Sequence, residues 1–100
     1  EDEIFMYIAL LTYKVSLEKV DEFLEEHKLY LEKNYNLRNF IFSGRRNPRV
    51  GGVILINQDS KNYVMNIIKE DPFYKYDIAD YELIEFCPTK YDENFGVFIK

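Results

Sequence analysis

The feature that most constrains this fold is the order in which the apolar residues change their spacing along the chain. Ile4 to Tyr13 is a nearly unbroken apolar run of strand length. From Ser16 to about Asn34 the spacing becomes three and four residues, through Leu17, Val20, Phe23, Leu24, Tyr30, Leu31 and Tyr35. That is one stripe of an amphipathic helix, with Ser16 placed to cap its first turn. Phe40 to Ser43 and Val53 to Ile56 are strand-like, and Gly44 to Gly52 between them is rich in Gly, Pro and Arg, the pattern of a hairpin with a long loop. Asp59 or Ser60 can cap a shorter helix whose stripe is Tyr63, Val64, Ile67 and Ile68. Asp71-Pro72 closes that helix, because the residue before a proline is driven out of the α region. Tyr81 to Phe86 is a fourth strand.

The order β-α-β-β-α-β predicts an α+β, ferredoxin-like domain: a four-stranded antiparallel sheet with both helices on one face. The other face is left open. Strands with a wet face alternate polar and apolar, yet Ile4 to Leu11 and Val53 to Ile56 are apolar at consecutive positions, the pattern of burial on both sides. A second copy packed sheet on sheet about a two-fold axis is the expected cover, giving a homodimer. One hundred residues hold one domain, 1–100. Within it residues 1–5 are an N-terminal extension or cloning remnant. Residues 91–100 are a tail that adds an edge strand, reaches to a partner or frays.

Charge and cysteine content remove several classes of function. Thirteen basic against eighteen acidic side chains give a net charge of -5, which argues against binding the phosphate backbone of nucleic acid. The nine Tyr and eight Phe fall mostly inside periodic segments, where core packing accounts for them. Cys87 is the only cysteine, so the chain reads as cytoplasmic rather than as a disulfide-stapled secreted scaffold, and next to Pro88 it reads as a plain buried thiol. No segment has the roughly 18 uninterrupted apolar residues of a membrane span. One His and one Cys cannot build the usual zinc site, and no Gly-rich phosphate loop follows a strand. No metal or cofactor is expected.

The candidate chemistry starts from His27, the only histidine, which falls on the apolar stripe Phe23, Leu24, His27, Tyr30, Leu31. Either a buried partner satisfies it or it lines a cavity in which protons are moved. Asp71 ends the second helix, where an acid opposes the helix dipole, and the packing of two helices on one sheet can bring it to His27. A carboxylate on one ring nitrogen would leave the other free as a general acid or base. The bland alternative is a core histidine on a backbone carbonyl and an Asp that opens an Asp-Pro turn. Arg45 and Arg49, with Arg46 and the backbone of Gly51-Gly52, could hold an anion, or could be solvated loop charge. Ser43 and Tyr74 offer hydroxyls, and with Phe73 they complete the candidate ligand contacts.

As a set, these residues resemble the YCII-related (YciI-like) family over about residues 6 to 91. The resemblance rests on Met6-Tyr7-Ile8 through Leu11-Thr12-Tyr13, His27, Ser43-Gly44 with Asn47-Pro48-Arg49 and Gly51-Gly52, Asp71-Pro72-Phe73, and Tyr81 to Phe86. It implies a dimeric α+β-barrel arrangement and an active site centred on a histidine and an aspartate, which fall on His27 and Asp71. Members are mostly uncharacterised small cytoplasmic proteins. One branch resembles dehydrochlorinases of chloroaromatic breakdown, and the fold is similar to that of muconolactone isomerases. The function expected is isomerase-like or lyase-like acid-base chemistry on a small cyclic or anionic substrate; the alternatives are a dimeric module that binds a small aromatic or acidic metabolite without turnover, and a domain in which His27 only packs. Two positions depart from the family pattern: Arg45, where a proline often follows Ser-Gly, and Asp77, where a glycine often follows Asp-Pro-Phe.

Overall fold

A computed structural model describes residues 3–99. Its elements are β1 (Met6–Tyr13), α1 (Leu17–Glu22), α2 (Leu24–Asn36), β2 (Phe40–Arg45), β3 (Gly51–Ile56), α3 (Lys61–Lys69), α4 (Pro72–Lys75), β4 (Ala79–Phe86) and a 3-10 helix, Glu93–Phe98. The strands form one antiparallel sheet in the order β2-β3-β1-β4, so β1 is central and β2 and β4 are the edges. This is the expected ferredoxin-like α+β fold. Alternation along the central strand explains its core: Tyr7, Ala9 and Leu11 are buried with Ile54 and Ile56 of β3, Val20 of α1, Val64, Ile67 and Ile68 of α3, and Phe73 of α4. Among the described residues no helix is long and apolar enough to cross a membrane.

The first helix is not continuous. Ser16 caps it as expected, accepting from the Lys19 amide at 3.3 Å. At Phe23, however, the amide turns back to the Val20 carbonyl at 3.0 Å, a 3-10 step that ends α1. The break lets the Phe23 ring stack on Tyr76 at 4.8 Å, a tertiary contact that no periodicity encodes. On α3 the buried stripe is Val64, Ile67 and Ile68; Tyr63, expected with them, is 44% exposed. Ser60, not Asp59, is the cap, accepting from the Tyr63 amide at 3.3 Å.

The hairpin loop is shorter than its Gly and Pro content predicts. Gly51 and Gly52 belong to β3 and pair with Thr12 and Leu11. The Arg46 amide donates to the Gly51 carbonyl at 2.9 Å, which closes the loop. These glycines allow close backbone approach instead of a turn: a Cβ on Gly51 would lie 1.7 Å from the Leu11 carbonyl oxygen. Asp71-Pro72 does end α3, but Pro72 then opens a second, one-turn helix with Asp71 as its N-cap. The acid therefore sits at a favourable helix start, not against a helix end as its position in the sequence suggests.

The face of the sheet away from the helices carries an apolar row. The register puts Phe42, Leu55, Ile8 and Ile84 in one row across all four strands, and Phe42 and Ile84 at the two edges are exposed. Among the described residues the tail forms no edge strand. Leaving β4 at one edge, it brings Val97 and Phe98 to a groove beside Tyr35, Arg38, Phe40 and Ile41 at the other, so it crosses the width of the sheet. Of the expected N-terminal extension, Glu1 and Asp2 lie outside the described residues, as does Lys100 of the tail. Cys87 is half-buried.

Candidate active site

His27 lies one turn into α2, and Asp71 lies in the link between α3 and α4. The packing of α2 on α4 brings them together, with His27 Nδ1 2.8 Å from Asp71 Oδ1. Asp71 is fully buried, and the His27 side chain is 12% exposed. A carboxylate only accepts, so Nδ1 carries the proton, and in the neutral ring Nε2 is the unprotonated nitrogen. Among the described residues Nε2 has no hydrogen-bond partner. The ring plane is fixed separately by Phe73, which stacks on it at 4.0 Å with 5° between the planes.

Asp71 is itself held from three sides. Oδ1 also accepts from the Phe73 amide at 3.0 Å, and Oδ2 accepts from the Tyr81 hydroxyl. Asp71-Pro72-Phe73 is thus a single device: the first residue orients the imidazole by hydrogen bond, the third by stacking, and the helix cap between them fixes both. Burial, and then the adjacent Asp71 carboxylate, hold the Tyr81 hydroxyl far above the ordinary phenol range, so it donates as a neutral phenol.

His27 opens on a cavity of about 250 Å³ between the sheet and α2. Of the ligand contacts expected from the sequence, Ser43, Arg45, Gly51 and Phe73 line it. Ser43 Oγ lies 2.7 Å from the Tyr35 hydroxyl, which positions it on the cavity wall. Arg49 does not reach this cavity. It borders an outer opening and is bound to Asp21 at 2.6 Å. Tyr74 does not line it either: it is 41% exposed and edge-on to Tyr81, with 5.6 Å between ring centroids. Gly51 contributes backbone already committed to the β-ladder, not a free anion-binding loop. Arg46 is taken by Thr12 Oγ1 at 2.9 Å and ties the hairpin to β1.

Sequence reasoning missed Tyr81, Tyr13 and Lys28. Tyr81 shares parity with Leu83 on β4, and both pack on the core side of the sheet, so alternation could have placed it under Asp71. Tyr13 meets Phe73 edge to face at 5.9 Å and lines the cavity. Lys28 is adjacent to His27, and nothing in the apolar stripe marks it.

A family model described as YCII-related domain matches residues 6–87. No curated protein matches the chain. Among solved structures, the chain is similar to the 5-chloro-2-hydroxyhydroquinone dehydrochlorinase of Burkholderia phenoliruptrix AC1100 in complex with 2,5-dihydroxybenzoquinone. The TM-score is 0.71 at 16% identity, over 91% of this chain and 98% of that one.

Proposed function

This chain belongs to the YCII-related family, and from the site it carries we propose that it is a small-molecule enzyme in which His27 moves a proton and Asp71 holds and charge-balances the imidazole. The observation that carries this reading is the division of labour on one ring: Nδ1 is tied to a fully buried carboxylate, and Nε2 is left unpaired on a residue that lines a cavity. In that state Nε2 is a base. It takes a proton from a carbon next to a carbonyl, and the electron pair left behind either shifts a double bond or expels a leaving group from the neighbouring carbon. The imidazolium formed is stabilised by Asp71 and returns its proton to product or solvent. Isomerase and lyase outcomes share this first step, and the similarity to a dehydrochlorinase favours the second.

The test is a turnover screen of lactones, halogenated hydroquinones and enolisable acids. Activity is expected in the native chain, with a loss of at least about a hundredfold in His27→Ala, the usual worth of a positioned general base. Turnover that survives His27→Ala would refute the assignment.

We propose also that the apolar row Phe42, Leu55, Ile8, Ile84 is the seat of a second copy of the chain. Sedimentation at micromolar concentration is expected to give twice the 12.1 kDa chain mass. Phe42→Glu, a charge placed on the exposed edge of that row, is expected to return the monomer.

A further inference from the structure

The reading above leaves the substrate open, and the charges around the mouth of the His27 cavity narrow it. The cavity and its outer opening share Tyr13, Leu24, Lys28 and Arg45, so these four residues frame the passage between them. The opening is bordered by three cations, Lys28, Arg45 and Arg49, and one carboxylate, Asp21. Arg49 and Asp21 neutralise each other at 2.6 Å. Among the described residues Lys28 and Arg45 have no ion-pair partner, so of the three cations at the opening only Arg49 is compensated. Two uncompensated cations at the entrance of a reactive cavity form a local positive field on a chain of net charge -5.

The interior has the opposite character. Leu24, Leu31 and Ile54, with the rings of Tyr13, Phe73 and His27, make a mainly apolar wall. A cavity of roughly 150 Å³ takes a benzene ring, so about 250 Å³ takes one ring with a few substituents. We infer that the ligand of this site is a single-ring organic anion, its charged group held at the mouth by Lys28 and Arg45 and its ring inside against His27. This rests on the acid-base reading but adds to it a substrate class and a specificity residue, Lys28. The two cations act on binding and direction of entry: the anion docks at the rim, and that fixes which ring atom faces Nε2.

Benzoate and benzamide are the probes, equal in shape and different in charge, and the ring protons of the only histidine report on both by NMR at fixed pH. Benzoate is expected to shift the His27 signals saturably, with an affinity about tenfold or more above that of benzamide, in line with one or two charge-assisted hydrogen bonds. Added salt should weaken benzoate alone. The exposed pair Lys28→Gln and Arg45→Gln, combined in one chain, should erase the benzoate preference and leave benzamide unchanged. Equal affinity for the two probes, no saturable shift with benzoate, or a preference that survives the double variant would each overturn the inference. Failure of the acid-base reading is separable, because it leaves benzoate binding intact while no enolisable substrate is turned over.

Discussion

Asp71→Asn is expected to fold, to keep the proton of His27 on Nδ1, and to lose turnover by about tenfold. The environment of Asp71 dictates this combination. One oxygen accepts from both His27 Nδ1–H and the Phe73 amide, and a backbone N–H cannot reverse its role. An asparagine must therefore present its carbonyl on that side and its NH2 group to Tyr81, whose hydroxyl can rotate to accept. Geometry survives, but the negative charge that stabilises the imidazolium is gone. A hydrogen bond to a charged group is worth roughly 1.5–3 kcal/mol and a neutral one roughly 0.5–1.5, a difference of about 1–1.5 kcal/mol or a factor of about 5 to 13. Asp71→Ala is expected to behave differently. It leaves the Phe73 amide, the Tyr81 hydroxyl and His27 without their acceptor in a fully buried site, at a cost of about 3 kcal/mol or more in stability. Nitrogen-15 NMR of the imidazole reads the tautomer, and thermal unfolding reads the stability. Native-like turnover in Asp71→Asn would mean that the carboxylate is structural and the proton moves elsewhere.

The parts of this site that were legible in the sequence are those that a single element encodes. The stripe Phe23 to Leu31 places His27 on the inner face of a helix, and the Asp-Pro pair marks a break where Asp71 can turn inward. Both follow from local sterics and period. The contacts among elements were not legible. Nothing local says that Phe73 will stack on His27 or that Tyr81 will reach Asp71, because those depend on how α4 and β4 dock. The same limit explains Phe23, where an aromatic contact with Tyr76 overrides a helical stripe that is continuous in sequence. Arg49 and Tyr74 were grouped with the site by proximity along the chain. In space one is claimed by Asp21 and the other lies exposed against the Tyr81 ring, outside the cavity. Asp77 is legible only in retrospect: it adopts φ 59°, a left-handed conformation that suits glycine and that aspartate tolerates.

Gly51→Ala is expected to destabilise the fold by about 3 kcal/mol or more, while Gly44→Ala at the other arm of the same hairpin is close to neutral. Gly44 and Gly51, seven residues apart, read alike in sequence, as turn formers, and the structure separates them by what a methyl group would meet. At Gly51 it would lie 1.7 Å from the Leu11 carbonyl oxygen and 2.7 Å from the carbonyl carbon, both backbone atoms of the central strand. Neither can rotate away, so β3 must shift from β1 and strain the ladder pairs Thr12 with Gly51 and Leu11 with Gly52. That strain reaches the site, because Leu11, Gly51 and Gly52 all line the His27 cavity. At Gly44 nothing lies within 4 Å, and a Cβ lowers the entropy of the unfolded chain at no steric cost. For a chain of this length about 3 kcal/mol lowers the melting temperature by roughly 12–24 °C. Thermal unfolding of the two variants side by side decides it. Equal melting temperatures would show that β3 can slide without penalty, and the wall of the cavity opposite His27 would then have to be regarded as adjustable.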